Sequence, residues 1–304
     1  MTALTSTSSP VSQSLLKARQ RAKGRGRRIT VVVFLAMAAA FFLVPVYVIV
    51  VNSFKSMDEI RMSQIFALPH DFTWNAWSYA WLQACSGTRC DGLRQGFLNS
   101  IEILVPSLIA SVSVACVTGY AIAKWKVRGA NSFLFVLFVC AFVPFQIIMY
   151  PLIKTTAFLH VYGTTWGVAF VHAVLALPIL TLIFTNYFRG IPEELMAAAM
   201  IDSGSFWKIF FRVVLPMSGN IVIVVLILQI TGIWNDFLIG ITFGGDNALP
   251  MTAILNNMTQ TTTSGTMYNV DMAGALLTAA TPLLLYFTLG KFFIQGITAG
   301  ALKG

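Results

Sequence analysis

Charge is the scarcest commodity in this chain: only 10% of its residues are Asp, Glu, Lys or Arg, and just 11 of the 304 are acidic. A soluble domain carries about a quarter charged residues, so this shortage, with 57% hydrophobic content, excludes an ordinary globular protein. Histidine occurs three times, at 70, 160 and 172. No H-E-x-x-H pattern and no evident nucleophile–base pair accompanies them, so a membrane enzyme finds little support. No G-x-x-x-x-G-K-[ST] stretch exists, so nucleotide must be bound elsewhere if it is used at all. Four cysteines are too few for a disulfide scaffold, and without nearby histidine they cannot complete a tetrahedral metal site. No metal site is expected.

What fills the chain instead is apolar runs. Six segments, 29–54, 103–123, 133–153, 165–188, 213–235 and 272–290, contain no Asp, Glu, Lys or Arg. Each approaches or exceeds the ~20 residues needed to cross a bilayer core of roughly 30 Å. Lipid offers no hydrogen-bond partners, so the crossings must be helices, and the fold class is an all-α polytopic membrane protein. Barrel strands of about ten alternating residues are not seen. The first run is too long for a signal peptide and reads as an uncleaved anchor.

Six crossings place both termini on one side. Fifteen basic residues, from the tail, the second-third junction, the segment before the fifth run and the C-terminal end, lie on that side, against five on the other. Positive-inside bias therefore puts both ends in the cytoplasm of a cell inner membrane. The net charge of +9 reports this asymmetry and contact with anionic lipid rather than nucleic-acid binding. The expected organisation is a disordered basic tail (1–28), a transmembrane domain (29–296) and a short C-terminal tail (297–304). Three outward segments remain: 55–100, the stretch around 160–164, and 243–271, the last expected to be a long hydrated loop rich in Asn and Thr. Cys85 and Cys90, in the first of these, are candidates for a disulfide; their spacing leaves open whether they pair. Cys116 and Cys140, within spans, read as packing residues.

One polar, helix-prone stretch, 191–212, joins the fourth and fifth runs. Pro192 suits a helix start, Glu193 and Glu194 favour its positive end, and Leu195 to Met200 is helix-forming. Asp202, Ser203 and Gly204 are expected to break it, with Ser205 capping a second helix that carries Phe206, Trp207, Lys208, Ile209 and Phe210. The small side chains of Ala197, Ala198 and Ala199 leave a slim helix able to enter a groove on a partner. Its alternative is an amphipathic helix lying on headgroups.

This stretch resembles the cytoplasmic signature of permease subunits in ATP-binding-cassette sugar importers: E-A-A, three residues, G, nine residues, then I-x-L-P. Ala197, Ala198, Ala199, Ser203, Val213, Leu215 and Pro216 keep its spacing, with Ala for Glu at 197, Ser for Gly at 203 and Val for Ile at 213. Asn52-Ser53-Phe54-Lys55, Phe97-Leu98-Asn99-Ser100, Pro144-Phe145-Gln146, Ile233-Trp234-Asn235-Asp236-Phe237 and the 296–304 ending are similar to that family too. Phe243 to Asp246 and Tyr268 to Met272 look most like its glucose/mannose and alpha-glucoside branch.

The resemblance implies a type I importer fold and a chain that is not an enzyme and holds no cofactor, with ATP and magnesium on a partner. It implies a second homologous permease as heterodimer partner, two copies of a cytoplasmic ATPase, an external sugar-binding protein and surrounding lipid. Glu193, Glu194, Ala197, Ala198, Ala199, Asp202, Ser203, Gly204, Trp207 and Lys208 would couple to the ATPase. With the motif Glu absent, Glu194, Asp202 or Lys208 would share its contact. A sugar pathway needs amide, hydroxyl and aromatic groups, and Gln146, Tyr150, Trp234, Asn235 and Asp236 supply them near span ends. Each has a plainer role open to it: Gln146 and Asn235 as interhelical glue, Trp234 and Tyr150 as interfacial anchors, Asp236 as a solvated or paired acid. Asn256, Asn257, Thr262 and Tyr268 would face the binding protein. Glu102 reads as solvated or paired between helices, and His172, Pro144, Pro178 and Pro282 as packing and kink elements. The competing class is an ion-coupled secondary carrier, against which the scarcity of buried ionisable residues argues.

Overall fold

The computed structural model describes residues 10–62, 64–125, 127–260 and 266–301. Its helices, in chain order, are α1 (Pro10–Asn52), α2 (Met57–Arg61), α3 (Asn75–Leu82), α4 (Gly92–Lys124), α5 (Ala130–Ala141), α6 (Phe145–Phe158), α7 (Thr165–Arg189), α8 (Glu193–Ser203) and α9 (Phe206–Ile209). A π-turn (Phe210–Val214) leads to α10 (Leu215–Met217), α11 (Gly219–Trp234), α12 (Leu238–Phe243), α13 (Met251–Gln260) and α14 (Tyr268–Ala301). Apart from one isolated bridge between Ser86 and Arg89, all regular structure among the described residues is helical.

Among the described residues, four helical stretches are long and apolar enough to cross a membrane: Arg28–Asn52, Gly92–Lys124, Thr165–Arg189 and Tyr268–Lys291. Two further crossings are broken. Ala130–Ala141 and Phe145–Phe158 meet at 104°, and Phe206–Met217 and Gly219–Trp234 meet at 77°. Straight spans over 133–153 and 213–235, as hydropathy suggests, are therefore not what forms. At the first break Pro144 is itself extended, with φ −58° and ψ 133°, and α6 starts directly after it. At the second, Ser218 donates its hydroxyl back to Val214 O, and Tyr187 Oη donates to Met217 O at 2.9 Å.

Other boundaries also move. α1 begins at Pro10, within the basic tail, where Leu15, Leu16, Ala18, Ala22 and the interspersed Lys and Arg are good helix formers. The segment 243–271, expected as a loop, holds α13 and the first turn of α14. Met251, Ile254 and Met258, at helical spacing, bury an apolar stripe beneath the polar amides that suggest a hydrated loop.

The centre of the bundle is the α4–α7 pair. Ser107, Ser111, Ala115 and Gly119, each four apart, are all buried along α4. This small-residue stripe lets backbones approach closely. A Cβ on Gly119 would sit 2.7 Å from Phe184 Cβ and 2.9 Å from Thr185 N. Ser107 Oγ reaches across to Ala169 O at 3.1 Å. Around this pair lie two apolar cores. One gathers Leu93, Ile103, Val171, Trp234, Phe243, Met251 and Ala273 near the start of α4, the other Tyr120, Phe184, Phe188, Met196, Ile209 and Phe210 near its end. In contrast, α1 leaves Phe34, Phe41, Phe42 and Leu43 exposed, and α5 buries nothing.

The end of α1 is fastened to the loop after it. Three consecutive carbonyls, of Gln64, Ile65 and Phe66, accept from Lys55 Nζ (2.7 Å), Asn52 Nδ2 (2.9 Å) and Tyr47 Oη (2.8 Å). Lys55 is fully buried, and its own carbonyl accepts from Asn269 Nδ2 of α14 at 3.0 Å. A residue that counts as an outward charge in the sequence is thus an internal tie between the first and last spans.

Candidate functional site: the segment between α7 and α11

The chain turns sharply at the end of α7. Gly190 and Ile191 fold back on the last turn through bonds to Tyr187 O and Phe188 O, and Lys124 Nζ, at the end of α4, donates to Ile191 O at 2.6 Å. A lysine at the C-terminal end of α4 also complements that helix's dipole. Ile191 and Met196 are buried, and Ala199 packs partly against the same core. Below this point the helix leaves the bundle. Glu193, Glu194, Ala197, Ala198 and Asp202 are exposed, and Ile201 is 89% exposed.

The helix–break–helix form expected for this segment is present, with one change of register. Asp202 and Ser203 remain helical, and the chain turns at Gly204, whose φ of +61° lies in the left-handed region open to glycine. Glycine one place later than the motif position allows Ser203 to complete α8. Ser205 occupies the N-cap position of α9, but its hydroxyl makes no capping bond, contrary to expectation. Phe206 holds α9 down by packing 4.8 Å from Tyr120 and 5.2 Å from Trp125. Trp207 points away from the core, 53% exposed and stacked on Phe211, and Lys208 is exposed. Leu195, Ala198, Ile201, Trp207 and Phe211 therefore present apolar surface, while the acids and Lys208 stand beside it. An apolar patch with charged neighbours on an otherwise firmly anchored segment is the form of a docking surface.

The other expected residues separate into two groups. Gln146 and Tyr150, one turn apart on α6, are both exposed, with Lys154 Nζ 5.6 Å from the Tyr150 ring centroid, so α6 carries a polar stripe away from the core. Asn235, at the end of α11, is exposed as well.

Trp234 belongs elsewhere: it is 1% exposed, packs on Phe97, and donates Nε1–H to Thr278 O at 2.9 Å. It is a core residue and does not line a pathway surface of this chain. Asp236 is also committed internally. Its carboxylate accepts from the backbone N–H of Ile239 (3.3 Å) and Gly240 (3.0 Å), and Oδ2 lies 3.6 Å from His172 Nε2. His172, read from sequence as packing alone, is thus an in-chain basic neighbour for Asp236.

Cys85 and Cys90 are joined by a disulfide. Asn256 and Asn257 are half-buried on α13, and Tyr268 is exposed at the start of α14; Thr262 lies outside the described residues.

The family model described as "Binding-protein-dependent transport system inner membrane component" matches residues 111–299, a stretch that includes the whole docking segment. The chain belongs to that family. A probable ABC transporter permease protein of Pyrococcus horikoshii is 41% identical over 189 residues, covering 61% of this chain and 68% of the relative. An arabinooligosaccharides transport system permease protein of Halalkalibacterium halodurans is 30% identical over 274 residues, covering 89% and 94%. The crystal structure of a bacterial ABC transporter involved in import of the acidic polysaccharide alginate contains a chain of the same fold. Its TM-score is 0.74 at 18% identity, covering 89% of this chain and 98% of that one. This chain is therefore a membrane-spanning permease subunit of the type I importer fold, a transport component. The apolar exposed faces of α1 and α5 suit a membrane-spanning protein, whose outer helices meet lipid.

Proposed function

We propose that this permease forms half of the pathway of an ATP-driven importer for a neutral sugar or glycoside. A separate cytoplasmic ATPase grips the Glu193–Ile209 segment. The observation that carries this is the segment itself: two short helices around Gly204, fixed to α4 and α7 by Ile191, Met196 and Phe206, with Ala198, Ile201 and Trp207 left uncovered. Two copies of the ATPase, a second homologous permease and an external binding protein complete the assembly. Both termini and the docking segment face the cytoplasm, as the distribution of Lys and Arg favours. Two relatives whose names specify arabinooligosaccharide and alpha-glucoside transport support a carbohydrate substrate. Gln146 and Tyr150, exposed on α6 with Lys154 one turn further on, offer amide and aromatic groups of the kind that meet a polyhydroxylated neutral solute.

The test is reconstitution of the complete transporter in proteoliposomes. ATP hydrolysis is followed as the binding protein is added with each of a panel of mono- and disaccharides. One or a few sugars should stimulate hydrolysis and be taken up with ATP inside, unaffected by a protonophore. Ala198→Arg should abolish both stimulation and uptake while the subunit inserts normally. Uptake that collapses with the protonophore and persists without ATP would identify an ion-coupled carrier instead.

A further inference from the structure

At the end of α4 opposite the docking segment lies a polar groove of about 470 Å³. One wall is the Cys85–Cys90 hairpin, the floor is the first turns of α4, and the other wall is the turn 246–249 before α13. Its lining is rich in amides, hydroxyls and charge and contains no aromatic ring. Arg89, Asp91 and Asp246 are exposed along it, and none of the three is in a salt bridge among the described residues.

The groove is built before anything enters it. Asn99 Nδ2 donates to the carbonyls of Asn247 (3.2 Å) and Leu249 (2.9 Å), and Gln95 Nε2 donates to Asn99 Oδ1 at 3.0 Å. Ser100 Oγ accepts from Met251 N at 2.9 Å. Backbones are close enough at this floor that a Cβ on Gly96 would lie 2.8 Å from Met251 Cα. The disulfide closes the other wall covalently. A preformed site loses little conformational freedom on binding.

We infer that this groove receives a charged loop of the external solute-binding protein, one bearing a cation for Asp91 and Asp246 and an acceptor for Arg89. The inference rests on the importer reading above and on its orientation, which places this end of α4 outside. Three features favour a protein loop over the sugar itself. The walls are open and exposed, the charges are mixed and outside any salt bridge, and no ring face is available for a sugar to stack on. The contact expected from sequence on 256–269 meets this groove at Asn257, while Thr262 lies outside the described residues.

The decisive measurement is ATP hydrolysis by the reconstituted transporter against binding-protein concentration. Arg89→Glu and Asp246→Lys should each raise the half-saturating concentration by about tenfold or more, as loss of a close charge pair does at other interfaces, while maximal and basal rates hold. Cys85→Ser combined with Cys90→Ser should shift it in the same direction. Half-saturation within about twofold of wild type in both charge variants, with basal hydrolysis normal, overturns the groove assignment and leaves the importer reading intact. If no binding protein stimulates even the wild-type transporter, the importer reading falls and takes the groove with it. If glucose or maltose binds the transporter calorimetrically without a binding protein, and Asp246→Lys abolishes that heat, the groove is a solute site and the proposal is wrong.

Discussion

Gly204 offers the sharpest test of the docking segment because space and conformation separate there. A Cβ added at this residue would meet only Met200 O, at an ordinary 3.8 Å, so a larger side chain is opposed by the backbone angle and not by crowding. At φ +61°, alanine costs about 1–2 kcal/mol, whereas asparagine tolerates the left-handed region at a smaller cost. Proline holds φ near −65° and also removes the N–H that donates to Met200 O at 2.9 Å, so the turn must be rebuilt. A penalty of ~1 kcal/mol lowers the population of the presented geometry about fivefold. The expected order of coupling, measured as solute moved per ATP hydrolysed in proteoliposomes, is therefore Gly204→Asn near wild type, Gly204→Ala reduced several-fold, and Gly204→Pro at background. All three should insert and purify normally, since Gly204 is exposed and buries nothing. Wild-type coupling in both the Ala and Pro variants would refute the claim that the angle between α8 and α9 transmits force.

Three further outcomes rest on the packing. Gly119→Leu, which forces a branched side chain into Phe184 and the Thr185 backbone, should cost more than ~3 kcal/mol and abolish monodisperse protein in detergent, as size-exclusion profiles would show. Trp234→Phe removes the donor to Thr278 O and should lower the apparent Tm with no change in the solute concentration that half-saturates uptake; an altered solute affinity with unchanged Tm would return Trp234 to the pathway. Asp236→Ala strips the carboxylate that holds the N–H groups of Ile239 and Gly240 and should destabilise by ~1–2 kcal/mol in thermal unfolding, with Asp236→Asn milder because its amide oxygen still accepts.

The legible parts of this fold are those where one local property decides the outcome. Thr165–Arg189 is apolar and lacks a strong breaker near its middle other than Pro178, which a span tolerates, and it forms a single helix close to its expected limits. Residues 133–153 and 213–235 are just as apolar, yet each is broken. Hydropathy is blind to Pro144 and to the Ser218–Gly219 junction, where backbone geometry and not burial is at stake. In 251–260 the amides at 256, 257 and 260 mask a stripe of Met251, Ile254 and Met258, and only the partner surface on α4 makes that stripe decisive.

Among the site residues, the docking segment is readable because its spacing is local. The Asp236–His172 and Trp234–Thr278 contacts are not, since they join residues 64 and 44 positions apart, and no pattern within a single span reveals such a pairing.

The two candidate surfaces are joined by one element. At ~1.5 Å per residue the 33 residues of α4 extend about 50 Å, with Gln95 and Asn99 in the groove at one end and Tyr120 and Lys124 under the docking segment at the other. Its stripe of Ser107, Ser111, Ala115 and Gly119 packs the middle of this length closely on α7, so the pair behaves as a stiff unit. The elements attached to it are broken instead: α5 from α6 at Pro144, and the α9–α10 stretch from α11 at Ser218. Movement imposed on Glu193–Ile209 therefore has two routes. It turns the α4–α7 pair as a body, or it flexes the Ser218 junction held by Tyr187 Oη. Tyr187→Phe separates them, because it frees only the junction. If the rigid route dominates, coupling survives that change; if the junction carries the motion, solute moved per ATP falls while docking of the ATPase is retained.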